Sequence, residues 1–418
     1  EKCIPTGLQH GTVTVKQGGG LYEITTFRTE GAYTDGRHPD EVHFVPDVRE
    51  DLARRDFTIN AMAYNEKEGL VDPFGGQADL QSGILRAVGV PHQRFTEDAL
   101  RILRLYRFAA RFGFAIDPPT AQAAQELCAH LDCVSVERIE EELAKLLSAP
   151  APAAYLDEKI LGVVLPELSP EALAAAKPVV DACPAGEQAL PVRLAALLLS
   201  LGEDGTRRTL RRLRCSNACI EETAVLVREA RGRDGSFLFG HEFELRHPAD
   251  ALCLEQHSHP AGRCPNSNSL FPPQAAVVAV AGHSIARPIA FGNRVPPQRT
   301  VLRETTVTPD LTICTRKLLG QYGLKTVQRL AALGTALQPE HAAEFAALSE
   351  LAERLDADGV CCRVSQLAVN GRDLMAAGVP AGPGIRKVLE ALLDGVIREE
   401  YPNERQALLA AVQQLAAS

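Results

Sequence analysis

Residues Thr96 to Phe112 read TEDALRILRLYRFAARF. Thr96 opens the run as a helix cap would, and Glu97 and Asp98 put negative charge in the first turn, where the helix dipole favours it. At about 100° per residue, Arg101, Arg104, Arg107 and Arg111 fall within about a 120° arc. Ile102, Leu103, Tyr106, Ala109 and Ala110 take the opposite side. Asp98 lies about 60° from Arg101, one turn earlier. One reading is a solvated face with an i,i+3 Asp–Arg pair worth a few tenths of a kcal/mol. The other is a base reader. An Asp carboxylate accepts from an exocyclic amine, and an Arg guanidinium donates to the neighbouring ring nitrogen. Cytosine and adenine offer that edge; guanine and uracil present a carbonyl beside a ring N–H. Such a pair takes CTP and ATP and rejects GTP and UTP, since each mispaired buried polar group costs about 1–3 kcal/mol. Arg104 and Arg107, one and two turns on, are then placed for a triphosphate.

Downstream of this run the pattern is nearly continuous helix. Helices are expected at Pro119–Leu131, Val136–Ser148, Ala151–Leu165, Pro170–Cys183 and Pro191–Ser200, and again through the tail. Upstream the sequence is mixed. Thr12–Lys16 and Leu21–Arg28 are β-rich, and Gly18-Gly19-Gly20 between them predicts a hairpin. Glu30 to Pro39 is a polar loop that includes Asp35 and Arg37. Asp51 to Tyr64 has helical spacing, with Leu52, Phe57, Ile59 and Met62 apolar. Asp72-Pro73-Phe74-Gly75-Gly76 is a turn, and a plausible hinge. The fold class is therefore α+β, a mixed head followed by helices.

The whole chain has 418 residues, enough for two to four domains at roughly 100–200 residues each. A 45% apolar and 23% charged composition is that of a globular protein. A net charge of -9 excludes a uniformly basic coat for nucleic acid but not a local basic patch. With no run of about 18 uncharged apolar residues, no membrane span is expected. The eleven cysteines show no CxxC pair and read as reduced thiols of a cytoplasmic protein. The chain opens on Glu1 in what reads as mid-domain sequence, so a missing N-terminal part is expected.

A second constellation, Leu52-Ala53-Arg54-Arg55-Asp56-Phe57-Thr58-Ile59-Asn60-Ala61, gathers two Arg, an Asp, a Thr and an Asn. Its chemistry suits a ribose and phosphates, with Asp56 accepting from a hydroxyl and Arg55 facing phosphate oxygens. RRDFTINAMA, then DPFGG, then EDALRILRLYRFAARFGF resembles the class II tRNA nucleotidyltransferases, the CCA-adding enzymes of bacterial type, with their poly(A) polymerase relatives. Thr6–Val15 and Tyr22–Arg28 resemble strands of the same head. Leu367–Leu374 and Tyr401–Arg405 resemble the bacterial tail.

The resemblance implies a polymerase-β-like nucleotidyltransferase head at 1–90, lacking its N-terminal part. A neck with the nucleotide-template helix follows at 91–150, a helical body at 151–314, and a helical, tRNA-binding tail at 315–418. It implies template-independent addition of CCA to the tRNA 3′ end from CTP and ATP, with release of pyrophosphate. By motif position, Glu97, Asp98 and Arg101 resemble the amino-acid template. Arg55, Asp56, Arg104 and Arg107 resemble further nucleotide contacts, and Asp35 and Arg37 sit in the flexible loop of the family. tRNA would be held at its acceptor end and elbow; no protein partner is implied. Mg²⁺ ligands, the family's DxD carboxylates, are expected upstream of residue 1, so no metal ligand is assigned; Glu23 is equally an exposed strand residue. The alternatives are an A-adding tRNA nucleotidyltransferase, a poly(A) polymerase, or a non-catalytic RNA-binding remnant.

Residues 231–310 do not fit. They hold nine of the 27 Pro and no Lys, and have no sustained period. A structureless loop of that length is improbable in a compact domain. The stretch is either an insertion or a disturbed reading frame, and clean helical sequence from Cys314 favours the second. Cys253, His257, His259 and Cys264 within it match no familiar zinc spacing. Cys215 and Cys219, four apart on an expected helix, read as packing thiols.

Overall fold

The computed structural model describes residues 2–7, 11–30, 42–231 and 309–417. Asp35, Arg37, most of the 231–310 stretch and the Cys253 to Cys264 set lie outside the described residues. Among the described residues, strands occur only up to residue 116, and the elements beyond it are helices. This is the α+β class expected.

In the head, β1 (Lys2–Gly7), β2 (Thr12–Gln17) and β3 (Gly20–Thr25) form an antiparallel sheet in that order. The β2–β3 hairpin turns through Gly18 and Gly19, both at positive φ, where glycine carries no steric cost. β4 (Arg28–Glu30) pairs with β5 (Val42–Phe44). Helix α1 (Val48–Ala53) follows, capped by Asp47.

The expected helix over 51–64 is not formed. After α1 the chain turns, Thr58–Asn60 makes one 3-10 turn, and β6 (Ala63–Asn65) pairs with β7 (Gly69–Val71). The cause lies outside the segment. Thr58 N donates to Arg86 O, Val88 N donates to Asp56 O, and Phe57 makes an isolated antiparallel bridge to Ala87, so 56–58 is pinned against 86–88. The apolar positions still reach the interior: Phe57 is fully buried, and Leu52 packs with Ala61, Val71 and Val88. The DPFGG turn starts α2 (Gly76–Ser82). Asp72 accepts from Gly76 N at 2.7 Å and Gln77 N at 2.9 Å. A Cβ at Gly76 would stand 2.1 Å from Thr58 O, so only glycine fits there.

The neck begins with β8 (Ile84–Leu85), parallel to β9 (Ala115–Ile116). Between them run α3 (Pro91–Glu97) and α4 (Leu100–Phe112); α5 (Pro118–Glu126) and α6 (Val136–Leu147) complete it. The expected single helix from Thr96 is thus two, broken at Asp98, whose backbone is extended. Asp98 Oδ1 accepts from Leu100 N at 3.0 Å and caps the second helix. The apolar face of α4 behaves as read: Ile102, Leu103, Leu105 and Ala109 are at most 1% exposed. Each such burial contributes roughly 1.5–3 kcal/mol for the larger side chains.

The body holds α7 (Glu158–Val164), α8 (Pro170–Ala182), α9 (Leu190–Leu198), α10 (Gly202–Arg212) and α11 (Asn217–Arg231). The helix expected over 151–165 is shortened to α7, because Asp157 caps it through Lys159 N and Ile160 N. Arg193 of α9, fully buried, donates to the carbonyls of Leu147 and Cys183 and so ties the end of α6 to the body.

α12 (Pro309–Tyr322), α13 (Leu324–Leu337) and α14 (Ala342–Ala357) come next. The boundary expected between 314 and 315 falls inside α12, and α13 packs on α8, α9 and α11. α15 (Gly371–Ala376), α16 (Pro383–Ile397) and α17 (Arg405–Ala417) enclose their own core of Val369, Leu374, Leu392, Leu408 and Val412. The two tail motifs lock together. Asn403 accepts from Ala368 N and donates to Gln366 O, each at 2.9 Å, and Arg405 pairs with Asp373 at 2.6 Å.

Candidate nucleotide site

The two constellations meet where the RRD motif crosses α4. Asp56 Oδ2 receives Arg104 Nε at 2.9 Å and Nη2 at 2.7 Å. Its Oδ1 accepts from Phe57 N at 2.9 Å and Asn60 Nδ2 at 3.1 Å. A carboxylate has about four acceptor positions, so Asp56 is saturated. Burial pushes its carboxyl up, but Arg104, Asn60 and the Phe57 N–H outweigh that and hold it below the ordinary range. In this structure Asp56 anchors Arg104, with all four of its acceptor positions taken within the protein. Arg104 itself remains 34% exposed.

The Asp98–Arg101 pair expected from i,i+3 spacing is not formed, because the chain break takes Asp98 off the helix. Arg101 turns instead to Glu97, Nη1 to Oε2 at 2.6 Å, and to the carbonyls of Arg94 at 3.1 Å and Arg54 at 3.2 Å. Arg94 joins the same Glu97 oxygen at 3.0 Å. Asp98 is met by Arg138 from α6, Nη2 to Oδ2 at 2.8 Å. Both template candidates are thus fixed, each by a different partner, and each keeps capacity. Among the described residues, Arg101 Nε–H and one Nη2 hydrogen have no partner, and Asp98 Oδ2 has one donor.

Arg107 is also engaged within the protein. It is 7% exposed, lies over the Phe108 ring at 3.8 Å, and is bonded through Nε to buried Glu142. Glu142 also faces Arg104 at 3.7 Å, so Arg107 acts on the site through Glu142. Arg55 is the accessible cation of the RRD motif, 46% exposed and 3.3 Å from Asp51. Arg54 turns inward, to Asp51 at 2.7 Å and to Arg28 O at 3.1 Å.

Sequence reasoning missed Arg138, Glu142, Asp51 and Arg94. The available signal was a matter of balance. Four arginines on one helix face, two of them buried, require carboxylates, and the α6 run Glu137 to Glu142 is the densest acidic cluster downstream in the neck.

Mg²⁺ is a separate matter. No three His, Cys, Asp or Glu side chains come together as a metal site among the described residues. The carboxylates that are present are each neutralised by a guanidinium: Asp51, Asp56, Glu97, Asp98 and Glu142. Glu23 lies exposed on β3. These residues do not fit a divalent cation. No helix among the described residues is long and apolar enough to cross a membrane.

Comparison with known proteins agrees with this layout. Residues 1–86 match the model of the poly A polymerase head domain, and residues 313–412 match that of tRNA nucleotidyltransferase domain 2. Residues 113–171 match the "Probable RNA and SrmB- binding site of polymerase A". A CCA-adding enzyme of Lactobacillus delbrueckii subsp. bulgaricus is 42% identical over 246 residues, 56% of this chain and 61% of that protein. One of Lactiplantibacillus plantarum is 49% identical over 156 residues, 37% of this chain and 38% of that protein. The chain thus spans less than two thirds of the length of these curated relatives. The CCA-adding enzyme of Limosilactobacillus reuteri (strain DSM 20016) is 31% identical over 414 residues, 99% of this chain and 83% of that protein. The solved structure of the Bacillus stearothermophilus CCA-adding enzyme in complex with CTP superposes with a TM-score of 0.67 and 26% identity, covering 100% of this chain and 84% of that one. A mixed head whose RRD turn docks on an arginine helix, followed by helices that match over the whole chain, has one family behind it: the chain belongs to the class II CCA-adding enzymes, within the tRNA nucleotidyltransferase and poly(A) polymerase group.

Proposed function

We propose that this chain selects CTP and ATP, and holds tRNA, for the template-independent addition of CCA to the tRNA 3′ end with release of pyrophosphate. The observation that carries the reading is the pair Asp98 and Arg101, held rigid by Arg138 and Glu97 with a free acceptor position and free donors respectively. A cytosine or adenine amine donates to Asp98 Oδ2, and the adjacent ring nitrogen accepts from Arg101. Rigid partners matter here, since a template whose side chains could swing would accept the reversed edge of guanine or uracil. Arg55 and Arg104, the accessible cations, face the phosphates. Asp51 holds Arg55, and Asp56 holds Arg104, with Arg107 acting on Arg104 through Glu142.

In the reaction the tRNA 3′-hydroxyl attacks the α-phosphate and pyrophosphate leaves. The residues described above contribute base choice, phosphate neutralisation and the placement of both. tRNA binding is tested by titrating the full chain with a tRNA that lacks its terminal CCA, against a DNA hairpin of the same sequence. The expected result is preferential binding of the tRNA, weakening as salt rises. Equal affinity for the DNA hairpin contradicts the reading.

A further inference from the structure

Seen down α4 at about 100° per residue, Phe108 and Phe112 fall in the same arc of about 100° as Arg101, Arg104 and Arg111. The arginine face of this helix is therefore interleaved with two aromatic rings. Arg101, Arg104 and Arg107 are each paired with a carboxylate, from Glu97, Asp56 and Glu142 respectively. Arg111 is exposed, and among the described residues it meets no carboxylate. Its guanidinium lies over the Phe112 ring, 5.7 Å from the centroid. Phe112 is 44% exposed. A single exposed phenylalanine needs no explanation, but the ring of Phe112 is fixed by its surroundings.

It stacks on Phe108, with centroids 5.9 Å apart and planes 10° from parallel. Fully buried Phe57 meets Phe108 edge-on at 5.8 Å. Phe114 leans on Phe112 from beyond the helix end, at 5.4 Å and 40°. Phe114 is tied by its backbone: its N donates to Ala109 O at 3.0 Å, and its O accepts from the Tyr155 hydroxyl at 3.2 Å. Gly113, at a φ of 68°, turns the chain off α4 directly after Phe112. The exposed ring is thus braced by two neighbours, and little freedom is left to lose when a flat partner covers it. A fixed π face beside an unneutralised cation suits single-stranded nucleic acid: the ring takes a base and the cation the adjoining phosphate.

We propose that Phe112 is a stacking platform for an unpaired base of the RNA acceptor strand, with Arg111 on the neighbouring phosphate. Resting on the tRNA reading above, this makes α4 a two-part track. The incoming nucleotide lies at Arg101 and Arg104, and the acceptor strand at Arg111 and Phe112. At about 1.5 Å per residue, Phe112 stands about 12 Å from Arg104 along the helix, the span of about three or four bases stacked at about 3.4 Å. In an acceptor end that already carries CC, the third base from the 3′ end is the unpaired one next to the stem. Because every base has a π face, the platform accepts any base at that place.

The test is binding of the full chain to two RNA hairpins built on a tRNA acceptor stem, each with a three-nucleotide 3′ overhang ending in CC. One carries a base at the first overhang position, the other an abasic ribose. The unaltered chain should bind the abasic hairpin at least about fivefold more weakly, the low end of the loss for one stacked base. Phe112→Leu keeps apolar cover on Phe108 without a π face, and should bind both hairpins alike, within about twofold. Phe112→Tyr should restore the difference. Arg111→Ala should lower the slope of log affinity against log salt by about 1 with either hairpin. A packing defect alone would weaken both hairpins equally and leave their ratio untouched. Equal binding of the two hairpins by the unaltered chain, an unchanged ratio in Phe112→Leu, or an unchanged salt slope in Arg111→Ala overturns the proposal while the tRNA reading stands. An unaltered chain that binds neither hairpin overturns both.

Discussion

Helices Leu100–Phe112 and Gly202–Arg212 each carry four arginines, and the structure uses them in opposite ways. On the first, Arg101 and Arg107 are buried, and the partners come from other elements: Asp56 from the head and Glu142 from α6. On the second, Arg207 pairs with Glu203 one turn away on the same helix and with exposed Glu221, Arg212 pairs with half-exposed Glu167, and Arg208 and Arg211 are exposed. Counting arginines does not separate these helices. What separates them is desolvated carboxylate delivered from a distance, because only a buried pair loses much when one member is removed.

The largest expected effect tests that difference directly. Glu142→Ala leaves Arg107 buried without its counter-charge and should cost about 3–5 kcal/mol in denaturant unfolding. A loss below about 1 kcal/mol would place the Arg107–Glu142 pair in the same class as those of α10. Acid sharpens the comparison next. Asp56 has its folded pKa lowered, so its contribution is fully present above its ordinary value near 4 and disappears as pH falls through the lower folded value. Asp56→Asn should flatten the stability profile below about pH 4, while Glu167→Gln, at the half-exposed pair on α10, should change it less. An equal flattening in both variants contradicts the contrast. The smallest effect belongs to Arg212→Ala, about 0–1 kcal/mol, as for most surface pairs.

The same contrast explains how far the sequence could be read. The Gly18-Gly19 hairpin, the apolar side of the 100–112 helix and the DPFGG turn were legible, because each is decided within a few residues. The break at Asp98 was not. It follows from one carboxylate choosing Leu100 N and Arg138 over the helix ladder. The 51–64 segment misled for the same reason: pairing with Arg86 and Val88, some thirty residues on, overrides its helical spacing. The residue types of the site were visible as a set, and their partners were not. Spacing placed Asp98 with Arg101, whereas packing gave Asp98 to Arg138 and Arg101 to Glu97. For Asp56 and Arg107 the residue types were legible, while their burial against Arg104 and Glu142 was not.

The central claim is that Asp98 and Arg101 read the base. Equilibrium binding of CTP, ATP, UTP and GTP to the full chain, and to its Asp98→Ala variant, tests it most directly. At about 1–3 kcal/mol for each mispaired group, CTP and ATP should bind at least about tenfold more tightly than UTP and GTP. Asp98→Ala should bring the four affinities together. Equal affinities in the unaltered chain, or a preference that survives Asp98→Ala, would contradict the account.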